Sequence, residues 1–542
     1  MRDQGRPMVR LGALRAVLLP LLLPLLHLAC GGERAGGGAA GSTVITGLRA
    51  DLAGLNPVTY TDQYTGEIIN FALYSPLIQY DANLEVRPYL ADSWELTGDT
   101  GVIMRLRRDV RWHDDRPVTA EDVKFTFDLA KDPSSASLIG SAFLGDVDRA
   151  EVTDSFTIRF HFSRPHAQAL EDFWWAPLPR HLLQNVAPAE LKNAPFNRQP
   201  VGSGPFRFSQ WQANQRLVLE PNPAFPEALG GPAAARVVLR VIPEASTMLT
   251  ELKTGGLHVD IPVLPEQTRD IKADANLQLH AFPGRTVYYI GWNNKRAPFT
   301  SATLRRALAL GINRQEIIDA LLAGEGAMAT STVPPWHPLY PKEVQPLAYD
   351  LPASMRLLEQ EGWRDTNNDG IREKDGRPLR FTLLSSDNTL NRAVVEMLQA
   401  QLRRVGADVL PRVLEFQTMR AQHVARDFDA VFTNWVLDNF QMAAAPRQLF
   451  HSRLADVQGS TNRSSVTLPA LDRLIEQAAA ATDPARARAI WPEITELLQR
   501  EQPITFMYWL NELAAARRDV SGVIMDPRGE FVSVAEWTLG RR

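Results

Sequence analysis

Cysteine is all but missing from this sequence: Cys30 is the single one in 542 residues, so no intramolecular disulfide can form. Charge of one sign is not in surplus either. The 58 basic and 62 acidic side chains leave a formal charge of −4, and without a large basic excess nucleic acid is not the expected partner. No repeat of 20–50 residues runs through the chain, which sets aside solenoids and propellers. S-x-x-K and G-x-S-x-G are both absent, so neither serine-hydrolase nucleophile motif is present. The ten histidines show no H-x₃-H or H-E-x-x-H spacing, which removes zinc hydrolysis.

What is present is ordinary globular material, 45% hydrophobic and 22% charged. Single cores stop growing at roughly 250–300 residues, so two or more lobes are expected. The one long apolar run lies at the start. Arg2, Arg6, Arg10 and Arg15 precede AVLLPLLLPLLHLAC, which ends at Cys30. A basic stretch followed by about 13 apolar residues has the shape of a signal peptide and is short for a membrane span. Pro20 and Pro24 weaken a transmembrane helix further. Residues 1–29 are therefore expected to be removed, and losing four arginines and one aspartate takes the charge from −4 to −7. A lone cysteine directly after such a run suggests lipidation of Cys30, although His27 and Leu28 depart from the usual lipobox. GGERAGGGAAGST then reads as a flexible tether, residues 30–43.

Beyond the tether, short β-rich runs (STVITGL, RLVLEP, RVVLRVI, RFTLLSS) alternate with helical patterns, which points to an α/β protein. Thr119 is placed to cap a helix with Asp122 three residues on, and Val123, Phe127 and Ala130 form its apolar stripe. Leu304, Ala307, Leu308 and Gly311 repeat at helical spacing. Asn313 then opens a second helix, with Glu316 expected to complete a capping box. Asp483-Pro484 opens a third, with Ala489, Ile490, Ile494 and Leu497 on its buried face. From Leu510 to Arg542 short strands and turns are expected to rejoin the first lobe.

Several landmarks then occur in order: RPYLADSWELTGD with MRLRRDVRWHDDRPVTAEDVKFTFDLA, PVGSGPFRFSQW, ELKTGGLHVDI with YYIGWNNKRAPFTSATLRRALALGINRQEI, and YDLPASMRLLEQEGW. In these the chain resembles the peptide/nickel (oligopeptide/dipeptide-type) class of extracellular solute-binding proteins that serve ABC importers, bacterial family 5, from about residue 44 to 510. The resemblance implies a two-lobed, periplasmic-binding-protein-like α/β fold of type II with an extra inserted domain and a ligand cleft between the lobes. The implied organisation is lobe I from 44–85, 201–285 and 506–542, an inserted domain at 86–200, and lobe II at 286–505. It implies a monomer with no cofactor and no reaction, holding a peptide for a membrane permease. A nickel chelate, an oligosaccharide or an opine-like compound is the alternative ligand; an exported hydrolase is the remote one.

The same resemblance singles out Trp435 and Asp438 in FDAVFTNWVLDNF, beside Asn434. The carboxylate would pair with a peptide α-ammonium and the indole would form an apolar wall. In LNPVTYTDQYTGEI, Tyr60, Gln63 and Tyr64 correspond to a loop at the cleft rim and could bond an extended backbone. Tyr289, Trp292 and Asn293 lie near the crossing into the second lobe; they are either cleft residues or hinge packing.

Three look-alikes are set down. Lys253-Thr254-Gly255 and Ser386-Asp387-Asn388 echo β-lactamase tripeptides but stand in the wrong order and lack the nucleophile. Asp365, Asn367 and Asp369 hold positions 1, 3 and 5 of a calcium-type loop, yet Gly376 replaces the bidentate Glu at position 12, so a solvated turn is expected. His113 with Asp114 and Asp115 is read as a structural turn.

Overall fold

The structure is a computed structural model that describes residues 42–540, apart from residues 99, 166–168, 438, 439, 441, 443 and 482. Cys30 and Asp438 thus lie outside the described residues. Among those described, eleven strands join in one mixed sheet. Two of them are exceptionally long, Leu277–Trp292 and Ile504–Arg517, and they pair antiparallel from Leu277 opposite Arg517 to Gly291 opposite Ile504. At about 3.3 Å per residue, the sixteen residues of the first would reach roughly 50 Å, enough to pass through two lobes.

The pairing loses register twice, between Pro283 and Thr286 and again between Tyr288 and Tyr289, and the first break is the one at mid-strand. Pro283 has no N–H to give the ladder, and Gly284 meets its neighbour too closely for any side chain. A Cβ there would lie 2.6 Å from the Leu510 carbonyl and 2.7 Å from a Glu512 carboxylate oxygen. The bulge divides the apolar cores. Phe282, Leu277, Leu513 and Ala515 belong to cores on one side, together with Val44, Trp112, Phe160 and Trp537. Val287, Tyr289, Ile290 and Trp292 belong to cores on the other, with Leu304, Phe381, Trp491 and Trp509. The molecule is accordingly α/β and two-lobed, with the two crossing strands common to both lobes. Of the segment after Leu510, the part up to Arg517 is the second half of one fourteen-residue strand that starts at Ile504, and the expected short strands follow as Val520–Ser521 and Thr538–Leu539.

A separate four-stranded antiparallel sheet (Ala91–Leu96, Gly101–Leu106, Thr157–Phe162, Val147–Asp154) carries the helix Ala120–Lys131. That helix has the expected stripe, with Val123, Phe127 and Ala130 buried, and the expected cap. Asp122 does more than cap. Its Oδ2 accepts from the Thr119 N–H at 2.9 Å and its Oδ1 from the Arg180 N–H at 2.9 Å. The turn before it is structural, as its sequence suggests. The His113 ring accepts from the Gly202 N–H and donates to the Gly204 carbonyl, and burial pushes the imidazole down to about 4. In the second lobe Asn313 caps Arg314–Leu321 by accepting from the Glu316 N–H. The reciprocal half of that box is corrected: the Asn313 N–H goes to Gln401, and Glu316 accepts from the same Gln401 amide. A tertiary partner has outcompeted the local one.

Candidate functional site

Asp62 starts the helix Gln63–Ile68, its carboxylate accepting from the Thr65 N–H at 2.9 Å and the Thr65 hydroxyl at 2.6 Å. Helical spacing then puts Gln63, Glu67 and Asn70 on one face. With Tyr60 and Gly66 they line a cavity of about 280 Å³. Gly66 is required there, because a Cβ would come within 2.6 Å of the Tyr60 ring. The cavity is completed by Leu138 and Trp174 beside the small sheet, by Arg285 on the bulge, and by Val436 and Leu437 at the end of the strand Ala430–Val436. The Leu437 N–H donates to the Arg285 carbonyl at 3.0 Å, which ties these last two together. Segments 220 and 370 residues apart thus meet over one short helix.

The floor of the cavity is charged and buried. Glu67 is 3% exposed. Its Oε1 accepts from Gln63 at 3.0 Å and from Arg285 at 3.4 Å; its Oε2 accepts from the backbone N–H groups of Glu530 at 2.7 Å and Phe531 at 3.1 Å. Gly529, at φ 147°, lets the C-terminal segment come this close, since a Cβ would sit 2.4 Å from the Glu67 carboxyl carbon. Glu530 is fully buried, with one carboxyl oxygen lacking a partner among the described residues. Burial and the neighbouring Glu67 and Glu512 push its pKa far up, so Glu530 keeps its proton. Glu512, on the second crossing strand, is pushed up to about 7 by burial, with Arg285 opposing and Glu67 adding to the rise.

Of the residues singled out in the sequence, Tyr60 and Gln63 line this cavity. Tyr64 does not; it packs on the first-lobe core, where burial and the three glutamates push its phenol well up. Trp435 is half-buried against the second-lobe core, opposite Val287, and only its successors Val436 and Leu437 reach the cavity. Asn434 is exposed on the opposite face, across from Tyr288. The cleft role considered for Tyr289, Trp292 and Asn293 is corrected in favour of packing. Tyr289 is 5% exposed, in the core. Trp292 is fully buried, donates to Thr505 at 3.0 Å and stacks on Phe299 at 5.0 Å. The Asn293 amide donates to the carbonyls of Phe428 and Arg426, fastening a loop.

Glu67, Asn70, Trp174 and Arg285 were missed. Glu67 and Arg285 were findable in kind, as single charges inside otherwise uncharged windows (GEIINFALY and FPGRTVYYIG), though nothing local pairs them.

Two further links join the lobes. Phe440 follows the strand that carries Trp435, yet its ring is buried among Tyr80 (4.8 Å), Trp174 (5.5 Å) and Trp336 (5.8 Å). Arg447 bridges Asp146, beside the small sheet, to Glu476 on Pro469–Ala480, at 3.3 Å each; Arg164 contacts the same two carboxylates. Elsewhere, the carboxylates of Asp365, Asp369 and Glu373 lie within 4.8 Å of one another. Each also accepts from the turn's own backbone: Gly370 N–H on Asp365, Ile371 N–H on Asp369, Thr366 N–H on Glu373. Asn367 accepts from the Asp369 N–H. Among the described residues no helix is long and apolar enough to cross a membrane.

Residues 85–455 match the family described as bacterial extracellular solute-binding proteins, family 5 middle. The chain is 28% identical to the oligopeptide-binding protein AppA of Bacillus subtilis, over 98% of its own length and 99% of AppA. The solved structure of that AppA in complex with a nonapeptide has a TM-score of 0.78 at 27% identity, covering 93% of this chain and 99% of AppA. NikZ from Campylobacter jejuni in complex with Ni(L-His) shares the fold, with a TM-score of 0.78 at 22% identity over 92% of this chain and 99% of NikZ.

Proposed function

The chain belongs to the bacterial extracellular solute-binding proteins of family 5, and we propose that it binds peptides between its lobes and hands them to an ABC permease in the membrane. The observation that carries this reading is the likeness to AppA over nearly the whole of both chains, AppA being an oligopeptide-binding protein solved with a nonapeptide. The site suits the task. Closure of two rigid lobes over a cleft removes a ligand from water, and the permease distinguishes loaded from empty protein by shape, with no reaction needed. Tyr60, Gln63, Trp174 and Arg285 offer the mixture of apolar wall and few polar groups that such clefts use.

Within this reading Asp438 anchors the peptide α-ammonium and Trp435 walls it, the protein acts as a monomer, and Cys30 carries the lipid that holds it at the membrane. The boundaries 44–85, 201–285 and 506–542 for the first lobe, 86–200 for the insertion and 286–505 for the second lobe are retained as part of the proposal.

The test is native mass spectrometry of the mature protein as purified, followed by denaturation and identification of what is released. Short peptides support the reading; a sugar or a metal chelate alone refutes it. Unchanged peptide affinity in Asp438→Ala sinks the ammonium anchor, and an unmodified Cys30 in membrane-extracted protein sinks the lipid.

A further inference from the structure

Among the described residues Arg285 is the single cation lining the cavity, and its side chain is only 8% exposed. A guanidinium has five N–H donors, and here one hydrogen bond is made, from Nη2 to Glu67 at 3.4 Å, while the group's carbon lies 6.0 Å from the centre of the Phe440 ring. The remaining donors meet no acceptor among the described residues. They are not sealed inside protein either: no Arg285 nitrogen is both buried and without a partner, so the unpaired ones open onto the cavity. Glu67 cannot supply more. Each of its oxygens already accepts two hydrogen bonds, from Gln63 and Arg285 on one side and from Glu530 and Phe531 on the other. The pair is therefore asymmetric, with a saturated carboxylate holding a guanidinium whose fork is mostly free.

We propose that Arg285 receives a carboxylate of the bound peptide, which makes it a specificity-determining residue of the cleft. The inference rests on the peptide reading. The chemistry follows from shape: a planar fork of N–H donors matches the two oxygens of a carboxylate, and the match is strongest where water is excluded. Unmet donors on a buried cation are costly, and an anionic ligand group removes that cost. The other acids nearby do not cancel the attraction. Glu530 is protonated, Glu512 titrates near neutrality, and burial raises Glu67 as well, with Arg285 opposing, so none of the three sets a full charge against the ligand. The carboxylate has two sources, the peptide C-terminus or an aspartate or glutamate side chain.

The experiment is isothermal titration of the mature protein with four versions of one nonapeptide of Ala, Ser and Val. They are the free acid and the C-terminal amide, each with and without one central glutamate. Wild-type protein should bind peptides carrying a carboxylate about 10- to 100-fold more tightly than the neutral amide. In Arg285→Gln that ratio should fall towards one. Glu67→Gln/Arg285→Gln is measured alongside, because it removes the buried charge that the single variant leaves without its cation. A gain confined to the free acids assigns the C-terminus, and an amide restored by glutamate assigns a side chain. Equal affinity of wild-type protein for all four peptides overturns the proposal, as does a preference that survives both variants. Failure of every peptide to bind refutes the peptide reading itself and this inference with it.

Discussion

Replacing Asp260 by asparagine should stabilise the protein above pH 7 and leave it nearly unchanged at pH 4. Asp260 lies on the two-residue strand Val259–Asp260, between Gly47 and Ala515 in the first-lobe sheet, and is 1% exposed. Neither carboxyl oxygen has a hydrogen-bond partner among the described residues. Burial raises the group from 3.8 to about 7, with Arg49 pulling the other way. In the unfolded chain the same carboxyl ionises near 4. Between those values the unfolded state has given up a proton that the folded state still holds. Wild-type stability therefore falls as pH rises from about 4 to about 7 and is flat above. The difference of about three decades in proton affinity corresponds to about 4 kcal/mol at the plateau. Asparagine carries no charge in either state and so escapes this loss, though its amide inherits the unpartnered surroundings. The net gain for Asp260→Asn should be about 2–4 kcal/mol at pH 8, shrinking to about zero at pH 4. Urea denaturation of both proteins at four pH values from 4 to 8.5 measures it. A variant less stable than wild type at pH 8, or a gap that ignores pH, would show that the carboxylate is ionised and partnered, and the burial argument would fail.

Asp122→Ala should cost about 3 kcal/mol or more by the same assay. It strands the buried N–H of Trp112 as well as the Arg180 and Thr119 N–H groups that Asp122 now satisfies; a loss under 1 kcal/mol would contradict the hub role. Arg447→Met should lower stability by about 1–2 kcal/mol at low ionic strength, since the guanidinium bridges Asp146 and Glu476 while 14% exposed. That deficit should narrow in 0.5 M salt, and a deficit insensitive to salt would assign the effect to packing of the side-chain stem instead.

Much of this molecule was legible without coordinates because the relevant forces act within a turn or two. The Thr119–Asp122 box, the stripe Val123, Phe127, Ala130 and the Asn313 cap each depend on residues three or four apart, and all are present. The family landmarks were legible for another reason: each needs its own local backbone shape, as in the turn at His113 that docks onto Gly202 and Gly204. Tyr60 and Gln63 were singled out because their segment resembles a family loop at the cleft rim, and both line the cavity.

Tertiary structure alone decided the rest. The choice between cleft and core for Trp292 turned on Thr505, 213 residues away, which takes its indole N–H. Gln401 displaced Glu316 from the Asn313 N–H for the same kind of reason. Glu67 and Arg285 are 218 residues apart, and what joins them is the bulge at Gly284, where the crossing strand loses register and turns one cation towards a helix of the first lobe. A charge inside an apolar stretch announces itself in sequence, but its partner, its protonation and the direction it faces follow from burial. Burial is a property of the packed lobes and not of any segment, because the electrostatic cost of losing water depends on everything that surrounds the group.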